Sequence, residues 1–152
     1  MENLKLASAY SRYGAKVPRG QQTLSAIAAD GAVVLSCHSG NFGGPQRNVL
    51  RYQDAISSDR AGARHKTLLG QHLSLAREGD LPVRLVIVTA PKGPMPRVIS
   101  VRPDLVGKVT EFDGDRFVVD FLRLAKPVEP TTGQRRKSRA RRAAALAAAP
   151  DA

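Results

Sequence analysis

The residues that could do chemistry are three histidines (His38, His65, His72), one cysteine (Cys37) and thirteen carboxylates in 152 residues. A shared metal needs ligands about 2 Å from one ion, which on a helix means histidines at i and i+4. His65 and His72 are seven positions apart, so a rise of 1.5 Å per residue parts them by ~10 Å. Cys37 and His38 are neighbours, and neighbours on a strand point to opposite faces. No metal site and no cofactor is expected. A single cysteine also excludes an intramolecular disulfide and fits a reducing, cytoplasmic setting.

The carboxylates do not converge on a catalytic pattern. Pro103-Asp104 resembles the first element of the PD-(D/E)xK nucleases, which hold a divalent metal on carboxylates. The second element needs an acid, any residue and a lysine, and Glu111-Phe112-Asp113 has Asp where the lysine belongs. Arg102-Pro103-Asp104 reads instead as a turn between strands, and Glu111, Asp113 and Asp115 as the solvated tip of a hairpin. The glycines from Gly14 to Gly20 lack the Lys-Ser or Lys-Thr of a P-loop. Gly40 to Gly44 lead into Pro45 rather than into a helix, against the strand, turn and helix order of a dinucleotide site. There is no serine elbow.

The cations say more. The net charge is +11 and the sequence pI about 10.7, a balance that bears on polyanion binding rather than on fold. Residues 126–152 carry seven basic and two acidic residues, and residues 1–125 carry 17 and 11. Within the tail, RRKSRARR places six cations in eight residues: Arg135, Arg136, Lys137, Arg139, Arg141 and Arg142. Each cation that neutralises a phosphate releases a condensed counterion and drives sequence-independent binding. In the body, three basic clusters are candidate contacts: Arg12, Tyr13, Lys16 and Arg19; Arg47, Arg51 and Tyr52; and Arg60, Arg64 and Lys66. The last cluster opens a helix, where positive charge opposes the macrodipole, so an anionic partner would account for it. Tyr13, Phe42 and Tyr52 lie among these cations, as stacking aromatics do in single-strand binders.

These residues need a scaffold, and periodicity outlines one. Asn3–Ala9 alternates weakly and reads as a first strand. Gln21–Ala29 places Leu24, Ile27 and Ala28 at i, i+3 and i+4, the spacing of a short helix, ended by Asp30-Gly31. Ala32–Cys37 is apolar and β-branched, the mark of a buried strand. HSGNFGGPQ reads as a loop and Asn48–Tyr52 as a short strand. After a loop over 57–64, Ala63–Arg77 forms the main helix, with Leu68, Leu69, Leu73 and Ala76 on one face. Pro82–Ala90 is the strongest strand, apolar enough to be central, and APKGPMP is a loop. A meander closes the body: Arg97–Arg102, Val106–Phe112, an Asp113-Gly114 turn and Arg116–Leu122. Val33, Leu35, Leu69, Leu73, Leu85, Ile87, Phe117, Val119 and Phe121 are the expected core.

Two helices among five to seven strands argue α+β with a mixed or antiparallel sheet; a PUA-like, partly closed barrel fits the same order. The compact domain is expected over 1–125. Beyond it KPVEPTTGQ has linker composition, and the Arg/Ala-rich remainder has no apolar stripe to dock and reads as disordered. The apolar stretch around Leu85–Val88 falls far short of the ~20 residues of a membrane span, and the N-terminus lacks a signal-peptide core. The expectation is a cytoplasmic accessory protein that binds DNA or RNA and no membrane. The rival readings are a protein–protein adaptor or antitoxin-type inhibitor with a solubilising tail, and a divergent enzyme acting on nucleic acid.

Overall fold

The structure, a computed structural model, describes residues 5–17, 23–46, 48–59 and 61–130. Their elements run α1 (Leu6–Arg12), β1 (Ser25–Ile27), β2 (Val33–His38), β3 (Phe42–Gln46), β4 (Val49–Ala55), α2 (Ala63–Gly79), β5 (Val83–Thr89), β6 (Val98–Val101), β7 (Leu105–Phe112) and β8 (Arg116–Arg123). Single turns of tight helix cover Ser39–Asn41 and Ile56–Ser58. The fold is α+β. Eight strands form one sheet in the order β1-β2-β5-β7-β8-β4-β3, with β6 also paired to β5. All pairings are antiparallel except β2 with β5. The path ends at β1 and β3, so the sheet is not closed into a barrel.

Alternation explains why β2 and β5 are apolar throughout. Successive side chains on a strand point to opposite faces. Val33, Leu35 and Cys37 of β2 and Val83 and Leu85 of β5 join the larger core, which α2 covers with Leu69, Leu73 and Ala76. Val34 of β2 and Val86 of β5 join a second core, which α1 covers with Leu6, Ala9 and Tyr10. The two central strands are therefore buried on both faces. β8 is buried on one face only: Phe117, Val119 and Phe121 point inward, while Arg116 and Leu122 are exposed. Eight of the nine expected core residues are buried, and Ile87 is half-buried against the same cluster.

Three elements differ from the sequence expectation. Residues 6–12 are helix, not strand, because Leu6, Ala9, Tyr10 and Tyr13 fall at i, i+3, i+4 and i+7 and all four are buried. Residues 25–27 are strand, not helix: Ser25–Ile27 pairs with Val33–Leu35, and Gly31 at φ 90° closes the turn between them. Residues 42–46 are strand, not loop, with Phe42 opposite Tyr52 and Gly43 opposite Arg51. A Phe-Gly-Gly-Pro run has little strand propensity of its own, and it lies at the sheet edge, where a proline is tolerated.

The body also continues past Ala125. The Leu124 N–H donates to Asp104 O at 2.7 Å and the Val128 N–H to Pro103 O at 2.7 Å. The Val128 carbonyl accepts from the Arg12 guanidinium at 3.0 Å, and its side chain packs on the α1 core. No helix among the described residues is long and apolar enough to cross a membrane.

Candidate functional site

Among the described residues, the candidate contacts do not form a single surface. Arg12 is committed to the Val128 carbonyl. Lys16 is exposed on the α1 side of the sheet. Arg51 holds Asp120 on the neighbouring strand through two bonds, Nε–Oδ1 at 2.7 Å and Nη2–Oδ2 at 2.9 Å. Arg64 and Lys66 stand in the first turn of α2, on the opposite side of the central strands from α1, with no ion-pair partner among the described residues. Arg19, Arg47, Arg60, Arg135, Arg136, Lys137, Arg139, Arg141 and Arg142 lie outside the described residues.

Neither candidate tyrosine can stack on a base, because neither presents a ring. Tyr13 is 3% exposed and its hydroxyl donates to Leu85 O at 3.1 Å. Tyr52 is 0% exposed and packs between the tilted rings of Phe42 and Phe117. Burial pushes the Tyr13 phenol up to about 12, and burial drives the Tyr52 phenol higher still, with the Asp54 carboxylate adding to it. Both are core residues that happen to neighbour cations in sequence.

A polar cluster that sequence spacing did not reveal sits where β2 ends. The Tyr52 hydroxyl accepts the His38 backbone N–H at 3.0 Å and donates to Asp54 Oδ2 at 2.6 Å. Asp54 Oδ1 accepts from the Ala55 N–H and the Ser58 hydroxyl, both at 2.8 Å. Beside this network the His38 ring meets Asp59, with Nε2 and Oδ2 3.0 Å apart. Asp59 is held from behind by the Ala61 N–H, which donates to Oδ1 at 2.8 Å. The His38 side chain is 46% exposed and that of Asp59 only 15%. An ionised carboxylate only accepts, so the proton faces it on Nε2 and the other ring nitrogen, Nδ1, is left over. Cys37, one residue earlier, is buried on the opposite face, and burial holds its thiol well above the ordinary range.

This cluster is an imidazole oriented by a fixed carboxylate. Among the described residues no group of three or more His, Cys, Asp or Glu could hold a metal ion. A second histidine contact, Ser25 Oγ to His72 Nδ1 at 2.7 Å, ties β1 to α2, and burial lowers the His72 pKa. Two further carboxylates are engaged: Asp104 takes both arms of Arg102, and Asp113 caps the β7–β8 turn through the Asp115 and Arg116 N–H groups.

Sequence comparison matches no protein-family model and no curated protein. Among solved structures, one similar chain is the SRA domain of SUVH5 in complex with fully methylated CG DNA, at 15% identity over 74% of this chain and 81% of that one, with a TM-score of 0.35.

Proposed function

We infer that this chain is a nucleic-acid-binding accessory protein whose affinity comes mainly from phosphate contacts. The observation that carries the reading is the distribution of charge: +11 overall, with six cations in the eight residues from Arg135 to Arg142. Within the body, acids already neutralise part of the positive charge, in the pairs Arg51–Asp120, Arg84–Asp30, Arg102–Asp104 and Lys108–Asp80. Lys16, Arg64 and Lys66 have no such partner among the described residues. Two of these three stand in the first turn of a helix that has no side-chain cap and no acid in that turn. Cations there oppose the macrodipole, and a phosphate would relieve that while accepting the free N–H groups.

The test is fluorescence anisotropy with labelled duplex DNA, single-stranded DNA and RNA over a salt series. On duplex DNA the slope of log K against log[salt] is about −0.9 for each phosphate neutralised. Replacing Arg135, Arg136, Arg139 and Arg142 by alanine should flatten the slope by up to about 3–4. The loss should be uniform across sequences, since phosphate contacts position a protein without reading bases. Absence of binding to all three at low salt refutes the reading and leaves the adaptor alternative.

A further inference from the structure

Only one histidine has its ring both exposed and oriented by a carboxylate among the described residues. His72 is bonded to Ser25 and desolvated. His65 is half-buried in the first turn of α2 with no bond assigned to it. His38 is 46% exposed, its Nε2 is engaged by Asp59, and its backbone is pinned through Tyr52. A side chain that only packed would not need this arrangement. Asp59 is set by its own bond from the Ala61 N–H, so the ring is steered rather than free to swing.

The location gives the ring a direction. Ala61 precedes Arg64 by three residues, so their Cα atoms lie at most ~11 Å apart. The His38–Asp59 pair therefore borders the start of α2, where Arg64 and Lys66 lack ion-pair partners among the described residues. Besides Arg51, which holds Asp120, and Arg84, which pairs with Asp30, the charged and titratable groups on the strands beside His38 and at the start of α2 are Cys37 on β2, Tyr52 and Asp54 on β4, Asp59 itself, Arg64, His65 and Lys66 on α2, and Lys92 beyond β5. Cys37 and Tyr52 stay neutral because both are buried. Asp54 is engaged by Tyr52, Ala55 and Ser58. That leaves Asp59 as the carboxylate facing the ring.

We propose that His38, in its protonated form, is a phosphate-binding residue of this protein, donating its Nδ1–H to a nucleic-acid phosphate while Asp59 holds the Nε2–H. This rests on the nucleic-acid reading above and adds a defined body contact to it. The neutral ring, with its proton on Nε2, turns a bare acceptor nitrogen towards the phosphate and loses the bond. Binding then strengthens as pH falls through the range of about 5 to 8 in which imidazoles change charge. The tail cannot produce this dependence, because residues 131–152 contain no histidine.

The experiment is anisotropy of the full chain with a labelled mixed-sequence duplex at constant ionic strength, from about pH 5.5 to 8. The native protein should bind about tenfold more tightly at the acid end, as expected for one charge-assisted bond. His38→Gln should bind as the native protein does at the alkaline end and lose most of the acid gain. His65→Gln should keep it. Asp59→Asn should blunt the acid gain, since the ring loses the carboxylate that orients it. Melting curves of each variant at the alkaline end show whether it folds, and Asp59→Asn carries the test if His38→Gln does not. An unchanged pH dependence in folded His38→Gln, or its loss in His65→Gln, overturns the proposal while leaving nucleic-acid binding intact. Absence of binding by the native protein at every pH refutes both readings together.

Discussion

All three tyrosines of this chain are buried: Tyr10 at 0%, Tyr13 at 3% and Tyr52 at 0% exposure. Tyr10 hydrogen-bonds Ser36 at 2.6 Å, and Ser36 in turn donates to Thr23 O, so the phenol is the donor of that pair. Burial raises all three phenols from the ordinary value of 10.0, Tyr13 to about 12 and the other two further. Each phenol ionises near 10 once the chain unfolds and stays protonated while it is folded. Their contribution is thus fully present below about pH 10 and is lost as pH rises towards the folded values. A one-proton difference costs about 1.4 kcal/mol per pH unit, so three tyrosines together remove about 4 kcal/mol per unit. Domains are typically stable by only ~5–15 kcal/mol, so the fold should give way between about pH 11 and 13. The assay is phenolate absorbance in the ultraviolet alongside circular dichroism during an alkaline titration. The expected result is no phenolate below about pH 11, then its cooperative appearance together with loss of the fold. A smooth titration of one or two tyrosines near 10 in the folded protein would refute the burial argument and restore Tyr13 or Tyr52 as a stacking surface.

Gly107 faces Phe121 on β8 and Val83 on β5, and a Cβ added to it would lie 2.5 Å from the Phe121 ring and 2.9 Å from a Val119 methyl. Because that ring is itself fully buried, Gly107→Ala should destabilise by about 1–3 kcal/mol in urea unfolding, and a neutral variant would mean that β7 and β8 pack more loosely. Ending the chain after Pro130 should leave the melting temperature unchanged. Ending it after Ala125 removes both Val128 hydrogen bonds and its packing against α1, and should cost about 2 kcal/mol; equal stability of the two truncations would show that the Arg12 clamp is idle.

Much of this architecture could be read from the sequence wherever one strong period coincided with one environment. α2, β5 and the β7–β8 hairpin emerged with ends within two residues, because each has a continuous apolar stripe and a turn residue where it stops. α1, β1 and β3 were missed for separate reasons. In α1 the buried side chains are Leu, Ala and Tyr, and tyrosines between cations looked like surface. β1 and β3 are short edge strands whose state is set by the partner they pair with rather than by their own residues. The His38–Asp59 contact joins positions 21 apart across two irregular turns, and no spacing rule reaches that far. A cue for Tyr52 did exist: on a strand it must face away from its neighbour Arg51, and Arg51 is the residue that belongs in solvent.

The parallel pairing of β2 with β5 joins Val33 to Val83, fifty positions apart, and these two strands form the centre of both cores. The chain between them carries β3, β4 and α2. Closing so long a loop costs entropy before any contact offsets it, and non-local pairing of this kind slows folding. The β7–β8 hairpin, whose strands meet across Asp113 and Gly114, can form early and offer Phe117, Val119 and Phe121 as a platform. The late step is then the docking of β2 beside β5. Until it occurs, β2 has only short β1 along one edge, at Val33–Leu35, and its other edge stays open and apolar, so this protein's risk of aggregation is concentrated in the interval before that docking.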